Sequence, residues 1–345
     1  MAERVAIVLF NLGGPDSPAA VGPFLKNLFT DKNILRVPFF IRPILARIIA
    51  WKRVKPATQN YAILGGKSPL LELTRQQAMA LETALPNVKC FIAMRYWHPM
   101  SLETATAVKT WQPDRILLLP LYPQYSSTTT GSSLEAWRDA ASRVGLVAPV
   151  TTLCCWQDDT AYIAATAALV KDMMNLAREN YPGRKLRLLF SAHGLPEIIV
   201  KQGDPYQWQI ELTSAAVARE LNESDLDWRI CYQSRATPQK WLEPSIEQEL
   251  DRAAHDQVGV VVVPIAFVSD HSETLVELDH EYAEMAAHKD VPFFVRVPAQ
   301  NSDPGFIAAL AGIVRKMLDQ DNGVGCLGGK RKCPGNFRDC PNIGK

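Results

Sequence analysis

Leu186-Arg187-Leu188-Leu189-Phe190-Ser191-Ala192-His193-Gly194-Leu195-Pro196 is a short apolar run that ends in a histidine followed by a glycine and a proline. An apolar run of this length closed by a turn signal reads as a strand buried on both faces, here Leu186–Phe190, with His193 just beyond its carboxyl end. The same pattern recurs on either side, at Val5–Phe10, Val88–Ala93, Ile116–Leu121, Val150–Leu153, Trp228–Cys231, Val258–Ile265 and Phe293–Val297. Longer helical patterns separate these runs. Fully apolar strands alternating with helices describe parallel sheets covered on both faces and built from right-handed βαβ units. Eight runs over 345 residues fit two four-stranded α/β halves better than one wide sheet. A (β/α)₈ barrel has the same strand count, but the gap between Leu121 and Val150 carries a Ser/Thr/Gly tract where a plain crossover is expected.

Composition narrows the functional classes. Lys and Arg number 37 against 36 Asp and Glu, a net charge of +1, so no global basic field exists to hold a polyanion and nucleic acid is excluded as the expected partner. Seven cysteines cannot all pair. Residues 1–30 lack the charged start, apolar core and cleavage site of a signal peptide, which predicts a reducing, cytoplasmic setting without structural disulfides. The longest mostly apolar stretch, Val37 to Trp51, is broken by Pro38, Arg42, Pro43 and Arg47, so it predicts no transmembrane helix but can lie on a membrane.

In open parallel sheets, ligands sit beyond the carboxyl ends of the strands. Those ends read Asn11-Leu12-Gly13-Gly14-Pro15, Met94-Arg95-Tyr96-Trp97-His98, Tyr122-Pro123-Gln124-Tyr125, His193-Gly194, Tyr232-Gln233-Ser234-Arg235 and Ser269-Asp270-His271. Aromatic, histidine and arginine side chains gathered at such edges suit a flat, ring-rich, anionic ligand. Ordinary loop polarity is the bland alternative. Gly13-Gly14 completes neither a dinucleotide nor a P-loop pattern. The tract Ser126–Ser133 leads into a helix near Leu134, where it can bind an anion or merely cap the helix.

After the strand Val258–Ile265, a helix capped near Ser269 or Asp270 is expected. At about 100° per residue, Asp270, Glu273, Glu277, Glu281 and Glu284 fall within an arc of roughly 80°. The functional reading is a track for a divalent cation or for protons, with Asp270 and Glu273 innermost, beside His193; a solvated acidic face is the alternative. Histidine plus carboxylate suits Fe²⁺, and neutral imidazole also accepts protons. The C-terminal tail holds Cys326, Cys333 and Cys340, with six residues in each gap, among Lys330, Arg331, Lys332 and Arg338. Thiolates among cations, in loops able to turn back, suit an iron–sulfur or zinc site, although only three such ligands are present; solvated free thiols are the alternative.

At these residues the sequence resembles ferrochelatase, which inserts ferrous iron into a porphyrin to complete haem. The resemblance runs from Asn11-Leu12-Gly13-Gly14-Pro15 through Gly65-Gly66-Lys67-Ser68-Pro69, Arg95-Tyr96, Leu121–Ser126, Thr129–Ser133, Phe190–Pro196, Gly203-Asp204-Pro205-Tyr206, Tyr232-Gln233-Ser234 and Trp241-Leu242 to Ser269–Leu275. It implies two Rossmann-like domains, 1–160 and 161–303, each a four-stranded parallel sheet flanked by helices. A C-terminal helix, 304–320, packs on the first domain, and a tail spans 321–345. It implies that porphyrin lies in the cleft and that His193 is the metal or proton-handling residue; coproporphyrin III is a rival substrate, and the apolar stretch Val37–Trp51 favours the less polar protoporphyrin IX. Glu273 faces the metal path, with Asp270 and Glu277 in the same acidic track, and Fe²⁺ is held at His193 and Glu273. Leu12, Tyr61, Ser68 and Arg95 match pocket-lining positions, and Tyr96, Tyr125 and Trp241, aromatic residues of the same motifs, are assigned to the porphyrin with them. Residues 36–55 match a lip over the cleft, where Phe39, Phe40, Ile44 and Trp51 beside Arg36, Arg42, Arg47 and Lys52 suit an anionic bilayer surface. A [2Fe–2S] cluster is implied at Cys326, Cys333 and Cys340. Its fourth ligand is open, because Ser127 stands where animal members have a cysteine; Cys155, or else Cys154, is the expected supplier. A non-catalytic porphyrin or iron carrier is the rival reading.

Overall fold

The computed structural model describes residues 3–235 and 239–342. The chain divides into two compact units. The first is built from residues up to Cys155, from Ala311 to Lys332 and from Pro341 onward, and the second from Trp156–Leu310 and Cys333–Cys340.

In the first unit, β1 (Val5–Asn11), β2 (Val88–Met94), β3 (Arg115–Pro120) and β4 (Val150–Leu153) alternate with α1 (Val21–Thr30), α2 (Arg42–Ile63), α3 (Leu70–Ala84), α4 (Ser101–Trp111) and α5 (Ser132–Val144). Every residue of β1 is buried, which is why it carries no polar alternation. Ala6, Val8 and Phe10 face a cluster with Trp137 and Leu134 of α5, whose buried positions recur at helical spacing. Gly145, at φ +63°, closes α5 in the left-handed conformation that glycine adopts without strain.

The second unit carries β5 (Leu186–His193), β6 (Trp228–Gln233), β7 (Gly259–Pro264) and β8 (Phe294–Arg296). Its helices are α6 (Thr160–Asn180), α7 (Glu197–Lys201), α8 (Tyr206–Glu220), α9 (Ile246–His255), α10 (Ala283–His288) and α11 (Pro304–Leu318), the last carrying the chain back to the first unit, where β9 (Gly323–Gly325) follows.

Both sheets are parallel, in the orders β2-β1-β3-β4-β9 and β6-β5-β7-β8. The α/β class and the two separate sheets agree with the sequence reading, but the first sheet has five strands rather than four. The additional strand, β9, is three residues flanked by glycines, too short to register as an apolar run. It is recruited by its neighbours: Thr151, Thr152 and Leu153 pair with Gly323, Val324 and Gly325. Arg115 of β3 secures the approach, donating to the Leu318 carbonyl at 2.7 Å, the Gln320 carbonyl at 2.5 Å and Thr151 Oγ1 at 2.8 Å. Carbonyls left over at the end of α11 thus find a cation. In each sheet the strand order reverses beside the first strand, β1 or β5, and a ligand crevice is expected beyond its carboxyl end.

Candidate functional site

In the second unit, β5 carries His193 to its carboxyl end, in register with Gln233 of β6. Tyr206 Oη donates to the His193 carbonyl at 3.1 Å and fixes the turn. Gly194 continues under the Trp241 ring, 3.2 Å from where a Cβ would stand, so Trp241 packs on the histidine turn. Beyond β7, the segment Glu273–Tyr282 is a π-helix that continues into α10. Its wider turn is invisible to a search for helical period and is a known mark of functional sites.

Glu273 opens this π-helix, and its Oε2 lies 2.9 Å from His193 Nδ1. The His193 side chain is 35% exposed and that of Glu273 18%, so the pair meets solvent through the histidine. Burial alone would lower the His193 pKa, but the Glu273 charge and hydrogen bond outweigh it and raise it above the ordinary value. Glu273 moves the opposite way: burial opposes ionisation, yet His193 holds it well below the usual carboxylate range. Glu277, one turn on, is pushed up to about 7 by burial and by the neighbouring Glu273 charge. Its Oε2 accepts from Ser234 Oγ and, at 3.3 Å, from Gln233 Nε2, which also donates to the Glu273 carbonyl at 3.0 Å. Gln233 thus ties the two carboxylates to the strand beside His193. Its role was not legible in sequence; register across β5 and β6 supplies it.

Asp270, expected as the innermost carboxylate of the track, is engaged elsewhere. It is buried, with Arg296 Nη1 at 2.9 Å from Oδ1 and Asn301 Nδ2 at 2.8 Å from Oδ2. It lies before the π-helix, in a turn pinned to Asn301, so the helical arc drawn from sequence does not extend to it. Glu281 and Glu284 are exposed.

In the first unit, Arg95 and Tyr96 follow β2. Arg95 Nε donates to Ser132 Oγ at 2.6 Å, and Arg95 Nη2 to Asp31 Oδ2 at 2.9 Å. Tyr96 is fully buried, and its hydroxyl also donates to Asp31 Oδ2, at 2.8 Å. Burial and Asp31 push its pKa well up, so it stays a phenol and a donor. Tyr61 and Tyr96 share an apolar cluster with the half-buried Leu12. Ser68 donates its amide to the Pro15 carbonyl at 2.8 Å and lies so close to Gly14 that a Cβ there would fall 2.4 Å from Oγ. Leu12, Tyr61, Ser68, Arg95 and Tyr96 therefore gather around the turns that follow β1 and β2.

Tyr125 sits apart from them, buried in a cluster with Cys154, Cys155 and Cys326. The β4–β9 register explains those thiols: Leu153 pairs with Gly325, so the next residues, Cys154 and Cys326, emerge side by side. Cys154 Sγ lies 3.3 Å from Cys155 Sγ and 3.4 Å from Cys326 Sγ, and Cys155 Sγ lies 4.0 Å from Cys326 Sγ. Among the described residues this is the one trio of His, Cys or acidic ligand atoms close enough to share a metal ion. Hydrogen bonds from Cys154, Cys155 and Asn342 outweigh burial and draw the Cys326 thiol down to about 2, giving it thiolate character, whereas burial pushes the thiols of Cys90 and Cys231 up. Three converging buried thiols fit a thiophilic metal or cluster. Cys333 and Cys340 belong to the second unit; both are buried, and Gln209 Nε2 donates to Cys333 Sγ at 3.2 Å.

The lip segment spans an exposed stretch and the start of α2. Phe39, Phe40, Ile44 and Trp51 are 79, 65, 62 and 77% exposed. No helix among the described residues is long and apolar enough to cross a membrane.

Two α/β units with parallel sheets flanked by helices make a fold that this chain shares with solved chelatases. The structure described as SirB from Bacillus subtilis with Fe3+ has that fold, with a TM-score of 0.54, 14% identity, and 92% of this chain and 96% of that one covered. The ferrochelatase family model matches residues 4–318, and the chain belongs to the ferrochelatase family. It is 48% identical to a ferrochelatase of Caulobacter vibrioides over 347 residues, covering 99% of this chain and 98% of that protein. It is 49% identical to one of Phenylobacterium zucineum, covering 92% of each.

Proposed function

We propose that the protein is a lyase that inserts Fe²⁺ into protoporphyrin IX to give protohaem, with His193 as the proton acceptor and Glu273 and Glu277 on the path of the metal. The observation that carries this reading is the His193–Glu273 contact. Insertion must strip two protons from pyrrole nitrogens and water from Fe²⁺. A carboxylate on Nδ1 fixes the imidazole tautomer, leaves Nε2 to face the ligand and raises the basicity of the ring. Glu277, poised near neutrality, can pick up a proton or give it up to bind a cation. Arg95 offers its remaining N–H groups to a porphyrin carboxylate, with Leu12, Tyr61 and Ser68 around it. Tyr125 is left to the thiol centre, and Trp241 supports His193.

The lip supports a peripheral membrane location. Each large apolar side chain withdrawn from water contributes roughly 1.5–3 kcal/mol, so leaving four exposed suits a surface that covers them, such as an anionic bilayer from which an apolar porphyrin is drawn. This favours protoporphyrin IX over the more polar coproporphyrin III.

Cys326, with Cys154 and Cys155 converging on it, would supply thiolate ligands to a [2Fe–2S] cluster. Such a cluster would fasten the tail and β9 to the first sheet.

Anaerobic assay of the purified protein with Fe²⁺ and each porphyrin tests the proposal. Multiple turnovers to protohaem, faster than with coproporphyrin III, are expected. A rate no greater than without protein would leave a carrier, and preference for coproporphyrin III would overturn the substrate.

A further inference from the structure

Arg95 is the cation placed for a porphyrin carboxylate, yet its fork is already largely spent inside the protein. Two of its three nitrogens are committed, Nε to Ser132 and Nη2 to Asp31. Nη1 has no partner among the described residues, and the Arg95 side chain is 20% exposed against 2% for Asp31. The buried end of the arrangement is thus the carboxylate, and the outward end is one edge of the guanidinium.

Asp31 is unusual in how many segments meet on it. It is the C-cap of α1. Its Oδ1 accepts from the Asn33 amide at 2.9 Å, and its carbonyl accepts from the Leu35 amide at 2.9 Å, so it begins the turn into the lip. Its Oδ2 accepts from Arg95 Nη2, from Tyr96 Oη and from Ser132 Oγ, donors brought by the end of β2 and the start of α5. A carboxylate has lone pairs for all of these and no proton to conflict with them. An aspartate 2% exposed carries a desolvation cost that one surface-facing arginine does not require; full satisfaction of both oxygens offsets it.

We infer that Asp31 is the positioning residue for carboxylate recognition: by holding Nη2, and through Ser132 the Nε edge, it aims Nη1 of Arg95 at a propionate of the porphyrin and joins that aim to the root of the lip. This rests on the reading that the protein binds a porphyrin carboxylate at Arg95. The inference names a residue that never touches substrate and that carried no motif in the sequence.

Asp31→Asn is the discriminating variant, because it keeps shape while its NH₂ must face either the Asn33 amide or the Arg95, Tyr96 and Ser132 donors. Porphyrin binding is read by fluorescence quenching, so no turnover is needed. Charge-assisted hydrogen bonds of about 1.5–3 kcal/mol correspond to a loss of about ten- to a hundredfold in affinity for the free dicarboxylic porphyrin. Its dimethyl ester should bind both proteins alike. In an Arg95→Met background, Asp31→Asn should add nothing, since its effect passes through that arginine. Should Asp31→Asn fail to fold, Ser132→Ala reads the same selectivity with a smaller loss. Equal weakening toward acid and ester, or additive effects of the two substitutions, would overturn the inference. Wild type that binds acid and ester with the same affinity would instead overturn the reading of Arg95 as the carboxylate site.

Discussion

One histidine nitrogen bound to a carboxylate makes the other nitrogen a stronger base, and burial with the Glu273 charge raises the pKa of the second carboxylate, Glu277. That rise carries the Glu277 pKa from 4.5 to about 7, so wild-type kcat/KM should fall on the acid side of about pH 7 and Glu277→Gln should remove that limb. The sign for stability follows from the same shift. Between pH 4.5 and about 7 the folded protein binds more protons at Glu277 than the unfolded chain, so this residue stabilises the fold at low pH and the contribution is lost as pH rises through 7. Urea midpoints of wild type and Glu277→Gln should therefore lie close together at about pH 5 and separate as pH rises, with Glu277→Gln the more stable at about pH 8. Glu273→Gln leaves the Nδ1 position without its charge and should lower kcat by about a hundredfold or more, against a fewfold at most for the exposed Glu281→Gln. Similar small effects at both positions would return the acidic face to the role of a solvated surface. His193, Glu273 and Glu277 were legible because they stand at a strand end and at repeated four-residue spacing. Asp270, three residues before Glu273, falls in the same helical arc, but the Arg296 and Asn301 side chains that engage it come from distant sequence.

At the scale of elements, the strands of the sequence reading were found because burial on both faces leaves a continuous apolar run, as in β1 and β7. β9 left no such trace, for it is held by backbone pairing with β4 and by Arg115 rather than by side-chain burial. A helix was expected after β7, but nothing in the sequence disclosed that its turns over Glu273–Tyr282 are the wider ones of a π-helix. The tail cysteines were visible as a cluster, with Cys155 or Cys154 at a strand end as their expected partner; the β4–β9 register adds why Cys154 and Cys326 emerge side by side. Cys326→Ser should abolish the red-brown absorption of a [2Fe–2S] protein and lower Tm, whereas Cys90→Ser and Cys231→Ser should keep the colour. Iron and sulfide analysis checks this, and a colourless wild-type protein without sulfide would remove the cluster. For the lip, Phe40→Glu with Ile44→Glu should weaken binding to anionic liposomes and raise KM for protoporphyrin IX more than for a water-soluble porphyrin. Unchanged liposome binding would contradict membrane docking.

For the whole molecule, a chain with no excess of charge and two parallel sheets places its chemistry in a few loops at strand ends, so most of the sequence serves to hold those loops still. The central claim is that the held groups catalyse metal insertion rather than merely bind its reactants, with His193 taking the pyrrole protons. Porphyrin-loaded protein mixed anaerobically with Fe²⁺ in a single turnover tests it directly, with haem formation followed by absorbance for wild type and for His193→Ala. Haem formation in wild type and retention of bound free-base porphyrin by His193→Ala are the expected result. Insertion by His193→Ala within a fewfold of the wild-type rate would contradict the account.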